Sequence, residues 1–97
     1  MQGTLKLTNT MIEVLVYIKE HGKLMEGEDA IRPIAIDKLV RAGIIANETT
    51  DANEHMVFTI VEDIFFLPKN GGLNVYKDGG LLVRKEKITK KVAKIFA

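Results

Sequence analysis

The chain has 97 residues, 46% apolar and 28% charged, enough for one globular core and too few for a second. Cysteine and serine are absent and the only imidazoles are His21 and His55, so disulfides, thiolate chemistry, serine triads and multi-histidine metal sites within one chain are excluded. The net charge of +1 hides two unlike parts: residues 1–67 carry six Lys/Arg against eleven Asp/Glu, and residues 68–97 carry eight against two, or −5 followed by +6.

Gly3 to Thr8 alternates Leu5 and Leu7 against Thr4, Lys6 and Thr8, which predicts a short first strand. Thr10-Met11-Ile12-Glu13 has the spacing of a capping box, in which hydroxyl and carboxylate each satisfy an orphaned amide, so a helix is expected to start there. Met11, Val14, Leu15 and Ile18, widened by Ile12 and Val16, give that helix a broad apolar face; Glu13, Tyr17 and Glu20 form its polar stripe. His21 sits where the C-terminal dipole favours it, and Gly22 closes the helix.

Lys23 to Asp29 is polar and contains Gly27, so at most one helical turn is expected in it. Ile34, Ala35, Leu39 and Val40 have helical spacing and Pro33 suits a first turn, predicting a helix over Pro33 to Ala42, with Asp29 as an alternative cap and Gly43 as its end. Ile44-Ile45 opens a strand, Asn47 to Glu54 reads as a polar tip, and His55 to Val61 returns as a second strand. Lys69-Asn70-Gly71-Gly72-Leu73 recurs eight residues later as Lys77-Asp78-Gly79-Gly80-Leu81. Asn-Gly and Asp-Gly tolerate the positive φ angles of tight hairpins, so Ile64–Leu67, Leu73–Tyr76 and Leu81–Arg84 are predicted to form a three-stranded meander. Ile88, Val92, Ala93, Ile95 and Phe96 then line one face of a short helix whose other face carries Lys87, Lys90, Lys91 and Lys94.

None of the motifs that carry chemistry is convincing. The Lys-Gly-Gly corners lack a phosphate-loop pattern and fall at opposite ends of a meander. Asp51-Ala52-Asn53-Glu54-His55 resembles the start of a calcium loop but has Met56 where that loop requires glycine. His21 with Glu26 and Glu28 is read as a helix-capping histidine beside solvated carboxylates, and Glu62-Asp63 as a turn or solvated edge. The expectation is a protein that is not an enzyme and has no catalytic residue, metal or cofactor. With no apolar run near the roughly 18–20 residues that span a bilayer and no signal pattern at its start, a soluble cytoplasmic chain without a membrane partner is expected.

The order strand, core helix, polar segment, helix, hairpin resembles the winged helix-turn-helix family over roughly residues 5–61. Leu7-Thr8 before the first helix, His21-Gly22 after it, and Leu39-Val40-Arg41-Ala42-Gly43-Ile44-Ile45 leading into the hairpin carry the resemblance. Together with the meander and terminal helix read above, it gives an expected α+β fold in a single domain over residues 1–97: a winged-helix-like part at 1–61, then a basic three-stranded antiparallel meander and short terminal helix at 62–97. The chain departs from that family in two ways. Lys23 to Ala42 is short for two helices and a turn, and Glu48, Asp51 and Glu54 make the wing tip acidic where phosphate would repel it.

The resemblance implies a small regulatory protein that binds duplex DNA. Its attractive surface is expected in the C-terminal third, at Lys69, Lys77, Arg84, Lys85, Lys87, Lys90, Lys91 and Lys94, with Lys38 and Arg41 as candidates for base contact. The alternative is a protein-interaction module, such as an inhibitor, adaptor or homodimer, that uses the acidic N-terminal part.

Overall fold

The computed structural model describes residues 5–27, 29, 31–48 and 56–97. Their fold is α+β, with three helices and two three-stranded antiparallel sheets. The expected first strand is not present over Leu5–Thr8, and Gly3 and Thr4 lie outside the described residues. Leu7 is instead buried in the core, and Thr8 caps helix α1 (Asn9–His21): its Oγ1 accepts from the Met11 amide at 3.2 Å. The cap is therefore two residues earlier than the Thr10–Glu13 box, because burying Leu7 sets where the chain turns into the helix.

Met11, Ile12, Val14, Leu15 and Ile18 are the buried face of α1, as their spacing requires. Gly22, at φ 87°, closes it. His21 stacks on Tyr17 with ring centroids 4.1 Å apart and donates from Nδ1 to the Tyr17 carbonyl at 3.0 Å, which is a C-terminal capping role.

The polar segment that follows contains no helical turn in its described part; Leu24–Met25 forms a two-residue strand, β1. Helix α2 spans Pro33–Arg41 with Pro33 in its first turn. The residue before it is Arg32, which makes no side-chain cap bond, so Asp29 is not the cap. Ala35, Ile36 and Leu39 hold α2 in the core.

Strands β2 (Ile45–Asn47) and β3 (Val57–Ile60) pair antiparallel, Ile45 opposite Ile60. Strand β1 adds on the far side of β3, Leu24 opposite Phe58, giving the order β1-β3-β2. Most of the expected hairpin tip, including Asp51 and Glu54, lies outside the described residues, as does His55 at the start of the returning strand.

The meander is present as expected: β4 (Ile64–Lys69), β5 (Gly72–Lys77) and β6 (Gly80–Lys85), in that order. Both turns take consecutive positive φ angles, 54° and 79° at Asn70-Gly71 and 53° and 84° at Asp78-Gly79, whose twist matches that of the flanking strands. Pro68 is tolerated in β4 because β4 is an edge strand, and β6 carries a bulge where Val75–Val83 gives way to Tyr76–Leu81. Helix α3 (Lys90–Phe96) is capped by Thr89, whose Oγ1 accepts from the Val92 amide.

One core joins both sheets. Leu73, Val75, Val83 and Phe66 from the meander belong to the same cluster as Met11, Leu15 and Leu39, and Phe96 packs on Phe66 with centroids 4.7 Å apart. No helix among the described residues is long and apolar enough to cross a membrane.

Candidate nucleic-acid interface

The ten basic candidates fall into three groups that differ in their contacts. Lys38 and Arg41 lie on the exposed side of α2, one and about two turns beyond Ile34, which is 75% exposed. Arg41 is paired with Asp37 one turn earlier, Nε to Oδ2 3.0 Å, so half of this small positive patch is already compensated. Lys38 lines a cleft of about 420 Å³ between the first turns of α1 and α2, together with Thr8, Thr10, Arg32 and Ile34. Neither helix has an acidic residue in its first turn, so both amino ends keep their partial positive charge. Arg32 is a cation that sequence reasoning passed over. The signal was its place immediately before Pro33, where a helix starts and a side chain meets the mouth of a cleft.

The second group is the meander's own. Lys77 Nζ donates to the Gly43 carbonyl at 3.2 Å and lies 3.9 Å from the Asp63 carboxylate, tying the end of β5 to the turn after α2. Arg84 donates from Nη1 to Asn74 Oδ1 at 2.8 Å and from Nε to Glu86 at 3.3 Å. Both cations are thus committed to internal contacts, and neither is available for phosphate without breaking one. Lys69 is exposed beside the Asn70-Gly71 turn, at the opposite end of the sheet from Lys77, as the register Lys69–Gly72 and Ile64–Lys77 requires.

The third group follows Arg84 closely in the chain. Lys85 and Lys87 line a cleft of about 660 Å³ with Asn9, Ile12 and Glu13 of α1. Lys90, Lys91 and Lys94 are exposed on α3, and helical spacing puts them within about 100° of one another. No ion pair involves Lys85, Lys87, Lys90, Lys91 or Lys94 among the described residues, in contrast to Arg41, Lys77 and Arg84.

The two clefts border the same first turn of α1 on different sides: Thr8, Thr10 and Met11 face α2, while Asn9, Ile12 and Glu13 face the segment leading into α3. The structure therefore does not merge Lys38 and Arg41 with the C-terminal lysines into one patch. Glu13 and Glu20 lie on the exposed face of α1.

Asp63 and Asp78 come together at one end of the meander. Their backbones meet one step beyond the Ile64–Lys77 pair, the Asp78 amide donating to the Asp63 carbonyl at 3.3 Å. A hydrogen bond to the Asp63 carboxylate, then the proximity of its charge, raises the Asp78 carboxyl above its ordinary value, with Lys77 opposing. Among the described residues no three His, Asp or Glu side chains converge as metal ligands. Set against protein-family models, curated proteins and solved structures, the chain matches none of them.

Proposed function

We propose that the chain is a small, non-catalytic, winged-helix-like regulatory protein that contacts duplex DNA mainly through Lys85, Lys87, Lys90, Lys91 and Lys94. The observation that carries this reading is that the five cations follow closely in the chain, three of them on one exposed helix face, and none has an acidic partner among the described residues. Such cations release counterions from phosphate on binding, which supplies affinity without sequence discrimination. The order α1-β1-α2-β2-β3 with sheet order β1-β3-β2 supports the winged-helix-like part. In that reading α2 offers Lys38 and Arg41 to the duplex, Arg41 exchanges Asp37 for phosphate when it engages, and Arg32, just before α2, gives up its bonds to the Asp29 and Ile31 carbonyls to join them.

The test is fluorescence anisotropy with a labelled duplex at low and moderate salt. Affinity is expected to fall steeply with salt, and reversing Lys90, Lys91 and Lys94 to Glu is expected to reduce the salt slope by about 0.9 for each phosphate no longer neutralised. Absence of binding at low salt sinks the proposal; unchanged affinity in the triple variant removes α3 from it. A second reading, a protein-interaction module, is favoured by the groove of about 390 Å³ between α2 and the first sheet. Ile31, Ile36, Val40, Met56 and Phe58 line it, with Glu26 and Asp37 at its rim.

A further inference from the structure

The meander has two faces and the core uses one of them. Leu73, Val75, Val83 and Phe66 point inward. Alternation puts Phe65, Leu67, Asn74, Tyr76, Leu81 and Arg84 on the other side, where Phe65 and Leu81 are each 59% exposed and Leu67 37%. The register sets them in rows. Phe65, Tyr76 and Leu81 stand abreast across all three strands, with the Phe65 and Tyr76 rings 6.2 Å apart; Leu67, Asn74 and Arg84 form the next row.

The ends of these rows differ in sign. Beyond Phe65 and Tyr76 the strands close on Asp63 opposite Asp78; beyond Leu67 and Arg84 they close on Lys69, with Glu86 already paired to Arg84. The face is therefore an apolar band with a negative end and a positive end.

We propose that this face is the interface of a homodimer, two copies packing sheet against sheet with their strands antiparallel, about a two-fold axis that lies between the sheets and runs across the strands. A two-fold interface uses the same patch twice, so it must be complementary to itself. A dipolar patch meets that condition in this orientation, in which Lys69 of each copy approaches Asp63 and Asp78 of the other while Phe65, Tyr76 and Leu81 close over the centre. The two carboxylates gain a second cation beside Lys77, which lies 3.9 Å from Asp63 in their own sheet. A surface of single sign, such as duplex DNA or an anionic bilayer, would be repelled at one end.

Three strands about 4.8 Å apart and six residues of about 3.3 Å each give a projected footprint of about 300 Å². That is below the roughly 800 Å² per partner of a long-lived complex, so the dimer is reversible and concentration-dependent. It covers Lys69 and Arg84 and leaves α3 free, so it goes beyond the DNA-binding reading without depending on it.

Sedimentation of the full chain at low salt, from about 1 μM to about 1 mM, tests the proposal. The expected result is a rapid monomer–dimer equilibrium. Leu81→Glu and Phe65→Lys are each expected to weaken it at least about tenfold with circular dichroism unchanged, two separate strands guarding against one variant failing to fold. Lys69→Glu is expected to weaken it as well, and adding Asp63→Lys to that variant, which swaps the two ends, to restore it. A monomer at every concentration overturns the proposal, as does a dimer that Leu81→Glu and Phe65→Lys leave intact or a charge swap that fails to rescue.

Discussion

Arg84 secures Asn74 across two neighbouring strands: its Nη1 donates to Asn74 Oδ1 at 2.8 Å, and Asn74, only 8% exposed, extends the chain of bonds by donating from Nδ2 to the Tyr76 hydroxyl at 3.2 Å. A cation expected at phosphate from its position in a basic segment thus satisfies a buried amide. Arg84→Ala leaves that oxygen unpaired, and the expected loss is about 1–3 kcal/mol in urea unfolding, with the slope unchanged. Any fall in DNA affinity of this variant is to be measured where the fold is intact.

Gly71 and Gly72 are adjacent glycines required for different reasons. Gly71 has φ 79° with nothing near its missing Cβ, so Gly71→Ala is expected to cost about 1–2 kcal/mol in backbone strain alone. At Gly72 the φ is ordinary but a Cβ would collide with the Lys85 carbonyl and lie 2.7 Å from both the Arg84 guanidinium and the Glu86 carbonyl. Gly72→Ala is expected to be the more destabilising of the two, by about 1–3 kcal/mol or more, because backbone rather than a movable side chain must shift. Gly72→Ala is also expected to disturb the Arg84–Asn74 bond, visible as weaker protection of the β5 and β6 amides in hydrogen exchange.

Thr8 and Thr10 separate two registers for the start of α1. Thr8→Ala removes the hydroxyl that accepts from the Met11 amide and is expected to cost about 0.5–2 kcal/mol, whereas Thr10→Ala, inside the helix, is expected to change thermal stability little. The reverse ranking would place the cap at Thr10.

Asp78 gives a pH dependence with a definite sign. Its folded carboxyl is raised, so the folded chain holds that proton more tightly than the unfolded one. Its contribution to stability is full below the ordinary value of 3.8 and is lost as pH rises through the folded value. Asp78→Asn keeps a residue that tolerates φ 53° and removes the repulsion from Asp63. At dilution, its melting point is expected to exceed that of the native chain at pH 7 and to match it at pH 3.

Legibility followed the range of the interactions. The Asn70-Gly71 and Asp78-Gly79 turns and the buried face of α1 depend on neighbours within a few residues, and the sequence is sufficient for them. Strand β1 is not, since two residues become a strand only because Phe58 and Val57 of β3 come alongside them. The same holds for the candidate interface. The lysines of α3 are readable as one helix face, but that Lys77 is spent on the Gly43 carbonyl and Arg84 on Asn74 is a property of pairings across thirty-four and ten residues.

Pro68 and the bulge at Leu82 bear on how copies of this chain can grow together. Each interrupts a free edge of the second sheet, Pro68 by removing an amide from β4 and Leu82 by standing unpaired in β6. A strand arriving from another molecule finds a broken ladder on either side, so edge-on stacking into fibrils is blocked at the same sheet whose face remains open. At this sheet, crowded copies are left with an association that closes on itself.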